Sequence, residues 1–583
     1  MNTQQKLQAL RERMKAQSLA GYIQPVQDEY MNEYPPECNR RVEWLTGFAG
    51  SAGTSVILSD KAAMFVDGRY TLQVTQEVDG TLFSMHNSAE LSPLLWITQQ
   101  LEQLRIGYDP QLYGRDAVAQ MQKILATKQI ELVPVTNLVD AMWDKRPQPP
   151  ASQVEVHDES YSGEAHASKR MRVAVVLKEY GADAAIISAP DSVCWLLNVR
   201  GGDVEGSPLL LSIAIAHADG HVEWGMDAAR CSDVVRAHLG AEVQLFAPAD
   251  RTARLKALKG KRVLCDMQTL PVWYIQQLSD AGAVIVEGRD PCVPMKAKKN
   301  DIELQGIRHA HRRDGVALTR LLVWLDGQAP GSVTELQVSD QLLSYRSENN
   351  HFRGVSFNTI AGSGEHGAIV HYRASEASNR VLQPGELFLL DSGGQYPDGT
   401  TDITRTIPIG APTAEHKDRF TRVLKGHIAI ATARFPAGTT GSQLDVLARK
   451  ALWDAGLDYD HGTGHGVGHF LNVHEGPQRI SKRGGDAALA AGMIISNEPG
   501  YYKAGEYGIR IENLVAVRLE EKGWHGFETL SCVPIDTRVV EPALLTADEK
   551  KWLNGYHAWV LESLQDQLSE AERKWLVLRC AAI

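Results

Sequence analysis

At 583 residues the chain is long enough for three or four domains of roughly 150 residues each. A content of 43% hydrophobic and 22% charged residues is globular usage and excludes a disordered or fibrous chain. Sixty basic against 71 acidic side chains leave a net charge of −11, which argues against nucleic acid or an anionic membrane as the main partner.

The seven cysteines are dispersed and form no CxxC pair. That pattern fits reduced thiols in a cytoplasmic protein and gives no disulfide framework and no four-cysteine zinc site. The N-terminus begins with an amphipathic pattern: Leu7, Leu10 and Met14 recur at helical spacing, predicting a helix over Lys6 to Gln17 rather than the apolar core of a secretory signal. No run approaches the roughly 18 apolar residues that a membrane span needs.

Two stretches resemble each other. The first runs from that helix through LAGYIQP, RRVEWLTGFAGSAGTSVILSD and AAMFVDGRY; the second runs from a helix over Lys169 to Tyr180 through GADAAIISAP, CWLLNVRGGD and PLLLSIAIAHADGHVEW. Each reads helix, buried strand, Trp-containing segment, Gly-rich turn and strand, which predicts two related α/β domains, 1–150 and 165–295. KRPQPPASQVEVHDESYSGE, between them, reads as a linker. RDPCVPMKAKKN marks a second boundary, after which DIELQGIRHAHRRDGVALTRLLVWL opens a third domain, 296–540, with a long helix. A helical extension, 541–583, closes the chain; Thr546 with Glu549 and Ser569 with Glu572 have capping-box spacing. Its apolar residues, among them Trp552, Trp559 and Leu564, require a partner surface on this chain or on another.

Nine of the 19 histidines fall within 351–474, and the carboxylates around them point to chemistry. In LFLLDSGGQYPDGTTDITRT, a hairpin looping near Gln395–Gly399 sets Asp391 and Asp402 roughly opposite each other. Two facing carboxylates repel unless a proton or a cation lies between them; taken alone, the pair reads rather as a strand-end cap at Asp391 and a solvated Asp402. HGTGHGVGHFLNVHEGP presents His465 from a Gly-rich loop. Glu498 ends a buried-looking strand in GMIISNEPGYY. Glu512 lies in the alternating strand IRIENLVAV, on the same face as Arg510. Together, Asp391, Asp402, Glu498, Glu512 and His465 carry more acid than Arg510 neutralises, which suits two hard divalent cations. An oxygen-rich set with one imidazole favours Mn2+, with Zn2+ or Co2+ as alternatives. GSGEHG matches the dinucleotide fingerprint by letter, but a strand-like AIVHYR follows it where a helix is required.

DSGGQYPDGTTDITRT, HGTGHGVGHFLNVHEGP, ISNEPGYY and GIRIEN resemble the metal-site motifs of the Xaa-Pro aminopeptidases, members of the pita-bread metallopeptidase family. RRVEWLTGFAGSAGT and MFVDGRYTLQ are similar to the N-terminal domain of their long, three-domain form. The fold class implied is α/β and α+β: two related creatinase-N-like α/β domains, a pita-bread catalytic domain and a helical C-terminal tail. The resemblance implies a dimetal set of Asp391, Asp402, His465, Glu498 and Glu512, with Glu498 also the acid/base partner of a metal-activated hydroxide. It implies that His371 and His474 hold the substrate and steady the tetrahedral intermediate, that His461 is a further substrate-side residue, and that Arg510 orients Glu512. The implied reaction is hydrolysis between an N-terminal residue and a penultimate proline, by a homodimer. A prolidase-type dipeptidase is the nearest alternative, and a non-catalytic pita-bread binding module is the alternative of another class. The length and C-terminal tail favour the aminopeptidase over the dipeptidase, and the complete ligand set disfavours the binding module.

Overall fold

The computed structural model describes residues 1–329 and 331–583. The chain forms two compact units: Met1–His157, Glu164–Glu205 and Leu209–Val293 make the first, while Asp158–Gly163, Gly206–Pro208 and Pro294–Ile583 make the second.

The first unit contains the expected repeat. Its first sheet has the strand order Ser84–Asn87, Ala62–Val66, Gly53–Leu58, Gly21–Pro25, Arg105–Tyr108, Glu131–Pro134. Its second has Val243–Phe246, Val222–Gly225, Ile213–His217, Ala184–Ile187, Arg262–Cys265, Val284–Glu287. Order and pairing sense agree strand for strand: on one side of the first strand of each repeat two antiparallel pairings are followed by a parallel one at the edge, and on the other side both pairings are parallel. A helix precedes that strand in each, Thr3–Ala16 and His166–Glu179. The first helix starts three residues earlier than the apolar pattern shows, because Asn2 and Gln5 form a capping box; Leu7, Leu10 and Met14 are its buried face. The segment expected as a linker is partly structured. Glu155–Val156 pairs with Val199–Arg200, and the Ser152 hydroxyl donates to Asp203, which also takes two hydrogen bonds from Arg230.

The second unit opens with the long helix Asp301–Asp326, capped by Asn300 and Glu303, followed by the helix Glu335–Ser347. Three antiparallel strands, Ile360–Ser363, Leu387–Ser392 and Ile403–Pro408, form one sheet. Six short strands form a second, in the order Phe435–Pro436, Trp524–Thr529, Asn513–Leu519, Ile494–Asn497, Gly464–Gly466, Glu475–Ile480. The helices Ala414–Ala431 and Gly441–Trp453 pack beside them, and a hairpin pairs Gly500–Lys503 with Tyr507–Arg510.

Both expected capping boxes of the tail are present, on the helices Ala547–Leu564 and Glu570–Arg579. The apolar face of the tail finds its partner on this chain. Leu553, Val560 and Leu564 are fully buried in one core with Phe420, Leu424, Ile509 and Ile511, and Trp552 and Trp559 pack against it. Leu564 is therefore no part of an exposed subunit surface. Among the described residues no helix is long and apolar enough to cross a membrane.

Candidate metal centre

Asp391 lies next to the end of its strand, opposite Thr404. The chain turns back through Gln395↔Thr400 and Tyr396↔Gly399, so Asp402 falls just before the next strand. The two aspartates are thus not directly opposite: Asp402 is offset two residues from the partner of Asp391. Two residues is one strand repeat, and both point to the same face.

His465 sits in a short strand, Gly464–Gly466, rather than in an open loop. The glycines on either side are forced by close approach: a Cβ on Gly464 would lie 1.9 Å from the Ser496 carbonyl oxygen, and one on Gly466 2.3 Å from that of Glu475. Glu498 follows directly on the strand Ile494–Asn497. Glu512 differs from the expectation of one continuous strand. The hairpin strand ends at Arg510, the large sheet resumes at Asn513, and Glu512 occupies the crossing, its amide donating to the Thr404 carbonyl at 3.2 Å.

These elements bring the five residues together. His465 Nε2 lies 3.4 Å from Asp402 Oδ2 and 3.6 Å from Glu498 Oε1, and one ligand atom each from Asp402, His465 and Glu512 fall within 4.8 Å of one another. His465 Nδ1 faces the Gly466 carbonyl at 2.9 Å, so Nδ1 carries the proton and Nε2 presents its lone pair to the carboxylates. The Ser496 hydroxyl accepts from the His465 amide and donates to Glu498 Oε1.

The donor set fits divalent cations. Asp391 Oδ1 and Asp402 Oδ1 are buried with no hydrogen-bond partner among the described residues, an expensive state for a carboxylate oxygen unless a cation takes it. Burial, and then the charges of Asp391 and Glu498, push the Asp402 carboxyl well above the ordinary range. Burial and the charges of Asp402 and Asp391 do the same to Glu512. Groups raised in this way stabilise the fold fully below their unfolded values, and that stability is lost as pH rises through their folded values. Metal-stripped protein is therefore expected to melt at progressively lower temperature as pH rises above the ordinary carboxylate range, a trend that a saturating divalent cation abolishes. Differential scanning fluorimetry with and without chelator reads this directly. A stripped protein equally stable as pH rises would show that the carboxylates do not crowd one another.

Arg510, which is 1% exposed, donates to Asp391 Oδ2 at 2.7 Å rather than to Glu512. It reaches Glu512 through Thr404, whose hydroxyl accepts from Arg510 Nε at 3.2 Å and donates to Glu512 Oε2 at 2.8 Å. The same guanidinium donates to the Tyr502 hydroxyl at 2.6 Å, which meets His461 Nε2 at 2.8 Å. His461 is thereby tied to the carboxylate cluster through two side chains. Arg510 also holds the carbonyl of Val370, next to His371. The ring of His474 stands 4.2 Å from that of His465.

Thr404, Ser496, Tyr502 and Glu475 contribute without having been singled out in the sequence. Glu475, directly after His474, is buried against Lys299 at 2.5 Å and Lys296 at 3.2 Å, and so anchors the chain at His474. Thr404 and Tyr502 act between residues about one hundred positions apart or one turn of a hairpin away, where spacing carries no signal.

Comparison with known proteins gives a consistent division of the chain. Residues 305–518 match metallopeptidase family M24, residues 6–142 and 145–303 each match the creatinase/prolidase N-terminal domain, and residues 523–583 match the C-terminal region of M24 peptidases. A probable Xaa-Pro aminopeptidase P of Laccaria bicolor is 40% identical, the alignment covering 100% of this chain and 94% of that one. The crystal structure of the X-prolyl aminopeptidase of Caenorhabditis elegans, a cytosolic enzyme with a di-nuclear active site, is similar with a TM-score of 0.95 at 33% identity, covering 100% of both chains. An Xaa-Pro dipeptidase from Bacillus anthracis is similar over only 64% of this chain and 99% of its own, with a TM-score of 0.53 at 25% identity. The chain belongs to metallopeptidase family M24, and within it to the long Xaa-Pro aminopeptidases.

Proposed function

We propose that the chain releases the N-terminal residue from peptides whose second residue is proline, with Asp391, Asp402, His465, Glu498 and Glu512 holding two divalent cations. The observation that carries this reading is the convergence of the four carboxylates and one imidazole, with buried oxygens left open on Asp391 and Asp402. Mn2+ suits this set best, Zn2+ and Co2+ being the alternatives. When bound, such ions supply a nucleophile at neutral pH and polarise the scissile carbonyl.

The side chains do the rest. Glu498, oriented by Ser496, takes a proton from the attacking water and delivers it to the leaving proline nitrogen. That nitrogen has no hydrogen in the peptide and must gain one to leave as an amine. His371 and His474 hold the scissile segment and stabilise charge on its carbonyl oxygen, and His461, steadied by Tyr502, contacts the substrate beside them. The enzyme works as a cytoplasmic homodimer.

The free α-ammonium of the substrate binds against the carboxylates, which restricts cleavage to the N-terminus. An N-acetylated Xaa-Pro-Pro peptide is expected to lose roughly 10- to 100-fold in kcat/KM, the value of one charged hydrogen bond. Equal rates on the acetylated and free peptides would remove this anchor. The activity itself is tested by stripping the protein, restoring Mn2+ and following release from an Xaa-Pro-Pro tripeptide beside an Xaa-Pro dipeptide. Metal-dependent release from the tripeptide, with little from the dipeptide, is expected. Preference for the dipeptide would make the chain a prolidase-type enzyme, and no release from either would refute the catalytic reading.

A further inference from the structure

Behind the carboxylates lies a buried cation that the reaction above does not use. Arg405 is 2% exposed, and every acceptor around it is neutral. Nε donates to the Pro534 carbonyl, Nη1 to those of Thr404 and Glu512, and Nη2 to Asn513 Oδ1, the Val533 carbonyl and the Tyr556 hydroxyl, at 2.7–3.1 Å. No carboxylate among the described residues forms an ion pair with it. An arginine stays charged in any protein environment, and a buried charge without a counter-ion is costly. The carboxylate whose charge acts on it is that of Glu512, on whose backbone it rests.

Its neighbours reach both glutamate ligands. Asn513, which follows Glu512, pairs across the sheet with Asn497, which precedes Glu498. His427, fully buried on the helix Ala414–Ala431, bridges the two: Nδ1 donates to the Asn497 carbonyl at 3.0 Å, and Nε2 accepts from Asn513 Nδ2 at 3.2 Å. Asn497 Nδ2 returns a bond to the His427 carbonyl at 2.9 Å. The network closes on the C-terminal helix. Tyr556 accepts from Arg405 at 2.9 Å and donates to the Val533 carbonyl at 2.7 Å, while Trp552 stacks on its ring at 5.4 Å and meets His427 edge-on at 5.9 Å.

We infer that Arg405 is the counter-charge built behind the carboxylate cluster and that Tyr556, supplied by the C-terminal extension, positions it, so that this extension sets how tightly the metal ions are held. The inference rests on the dimetal reading given above. Arg405 offsets part of the negative charge at Glu512 and fixes the backbone from which Glu512 projects. Tyr556 is a positioning residue: it touches neither substrate nor metal ligand side chain.

The test uses the full-length protein with Tyr556→Phe, which keeps the ring and removes only the hydroxyl, and with Arg405→Lys, which keeps charge but not the fork. Mn2+ is titrated into stripped protein by calorimetry, and kcat and KM are measured separately on Xaa-Pro-Pro at limiting and saturating Mn2+. For Tyr556→Phe the Mn2+ dissociation constant is expected to rise roughly 10-fold or more, with kcat falling at limiting Mn2+ and KM for peptide unchanged. If Arg405→Lys fails to fold, Tyr556→Phe still decides. A folded Tyr556→Phe protein that binds Mn2+ as tightly as wild type overturns the inference, even where its melting temperature drops. Wild type run alongside separates the two levels: wild type that neither binds metal nor cleaves refutes the dimetal reading, whereas wild type that does both beside an indistinguishable variant refutes this inference alone.

Discussion

Replacing Glu498 by Gln lowers kcat on Xaa-Pro-Pro peptides by roughly 10^3-fold or more, with the fold intact. The change is isosteric and keeps an oxygen to accept from Ser496, 3.2 Å away in the native protein. What it removes is the ability to take up and give back a proton, a step worth about 10^2 to 10^4 in rate, together with one of the anionic charges that hold the cations. The two losses are separable. At saturating Mn2+ the binding deficit is filled, and the remaining fall in kcat belongs to proton transfer. Glu512→Gln is the matched control. Glu512 faces Thr404 through one oxygen and contributes charge to the site without a place in proton transfer. Its loss is therefore expected to appear mainly as weakened metal binding that added Mn2+ recovers. Metal content and rate measured in parallel decide the matter. A Glu498→Gln enzyme within tenfold of wild type at saturating Mn2+ would take Glu498 out of the acid/base role.

The parts of this molecule legible in its sequence are those that local pattern controls. Leu7, Leu10 and Met14 mark a buried helix face, the two α/β repeats share an order of elements, and the capping pairs at Thr546 and Ser569 fix two helix starts. The excess of carboxylate over Arg510 was likewise visible, because charge is counted without knowing geometry. What pattern could not deliver is who faces whom. In IRIENLVAV the alternation of Ile509–Glu512 gives way at Asn513 to the apolar run Leu514–Val517, and reading the segment as one strand passes over the change of sheets that falls there, since a buried residue at a crossing looks the same as one in a strand. Arg510 and Glu512 share a face by parity, yet the guanidinium turns to Asp391, 119 positions away, because Thr404 already satisfies the glutamate. Tyr556 and Arg405 are 151 positions apart, and nothing in either segment announces the other. Long-range polar partners are set by packing, and one sequence does not record packing.

The same argument gives a large expected effect on stability, away from the chemistry. Asp314 on the long helix and Arg346 on the next form a two-pronged ion pair at 2.7 and 3.0 Å, with side chains 4% and 0% exposed. Arg346 also donates to the Ser392 hydroxyl at 3.1 Å and the Gly393 carbonyl at 3.2 Å, directly after Asp391, while the Tyr396 hydroxyl donates to Asp314 at 2.9 Å. The pair thus clamps the hairpin that spaces Asp391 from Asp402. Burial alone would raise the Asp314 carboxyl; Arg346 outweighs it and holds the group below the ordinary carboxylate range. Its contribution is present above the unfolded value and is lost as pH falls through the lowered folded value, so at neutral pH it is complete. Asp314→Asn leaves Arg346 buried without its anion and is expected to cost about 3–5 kcal/mol in denaturant unfolding of the stripped protein. Converting both residues to apolar ones, Asp314→Leu with Arg346→Met, is expected to recover much of that stability, because no unpaired charge remains. Activity is not expected to return with it. The double variant loses the hydrogen bonds from Arg346 to Ser392 and Gly393, leaving the pairing of Ser392 with Ile403 and the Ser356 amide on the Gly393 carbonyl, and the separation of the two aspartates is expected to depend on the lost hold. Recovered stability with lost metal-dependent cleavage would locate the function of the pair in the hairpin, whereas recovery of both would mean that the hairpin is held by its own strands.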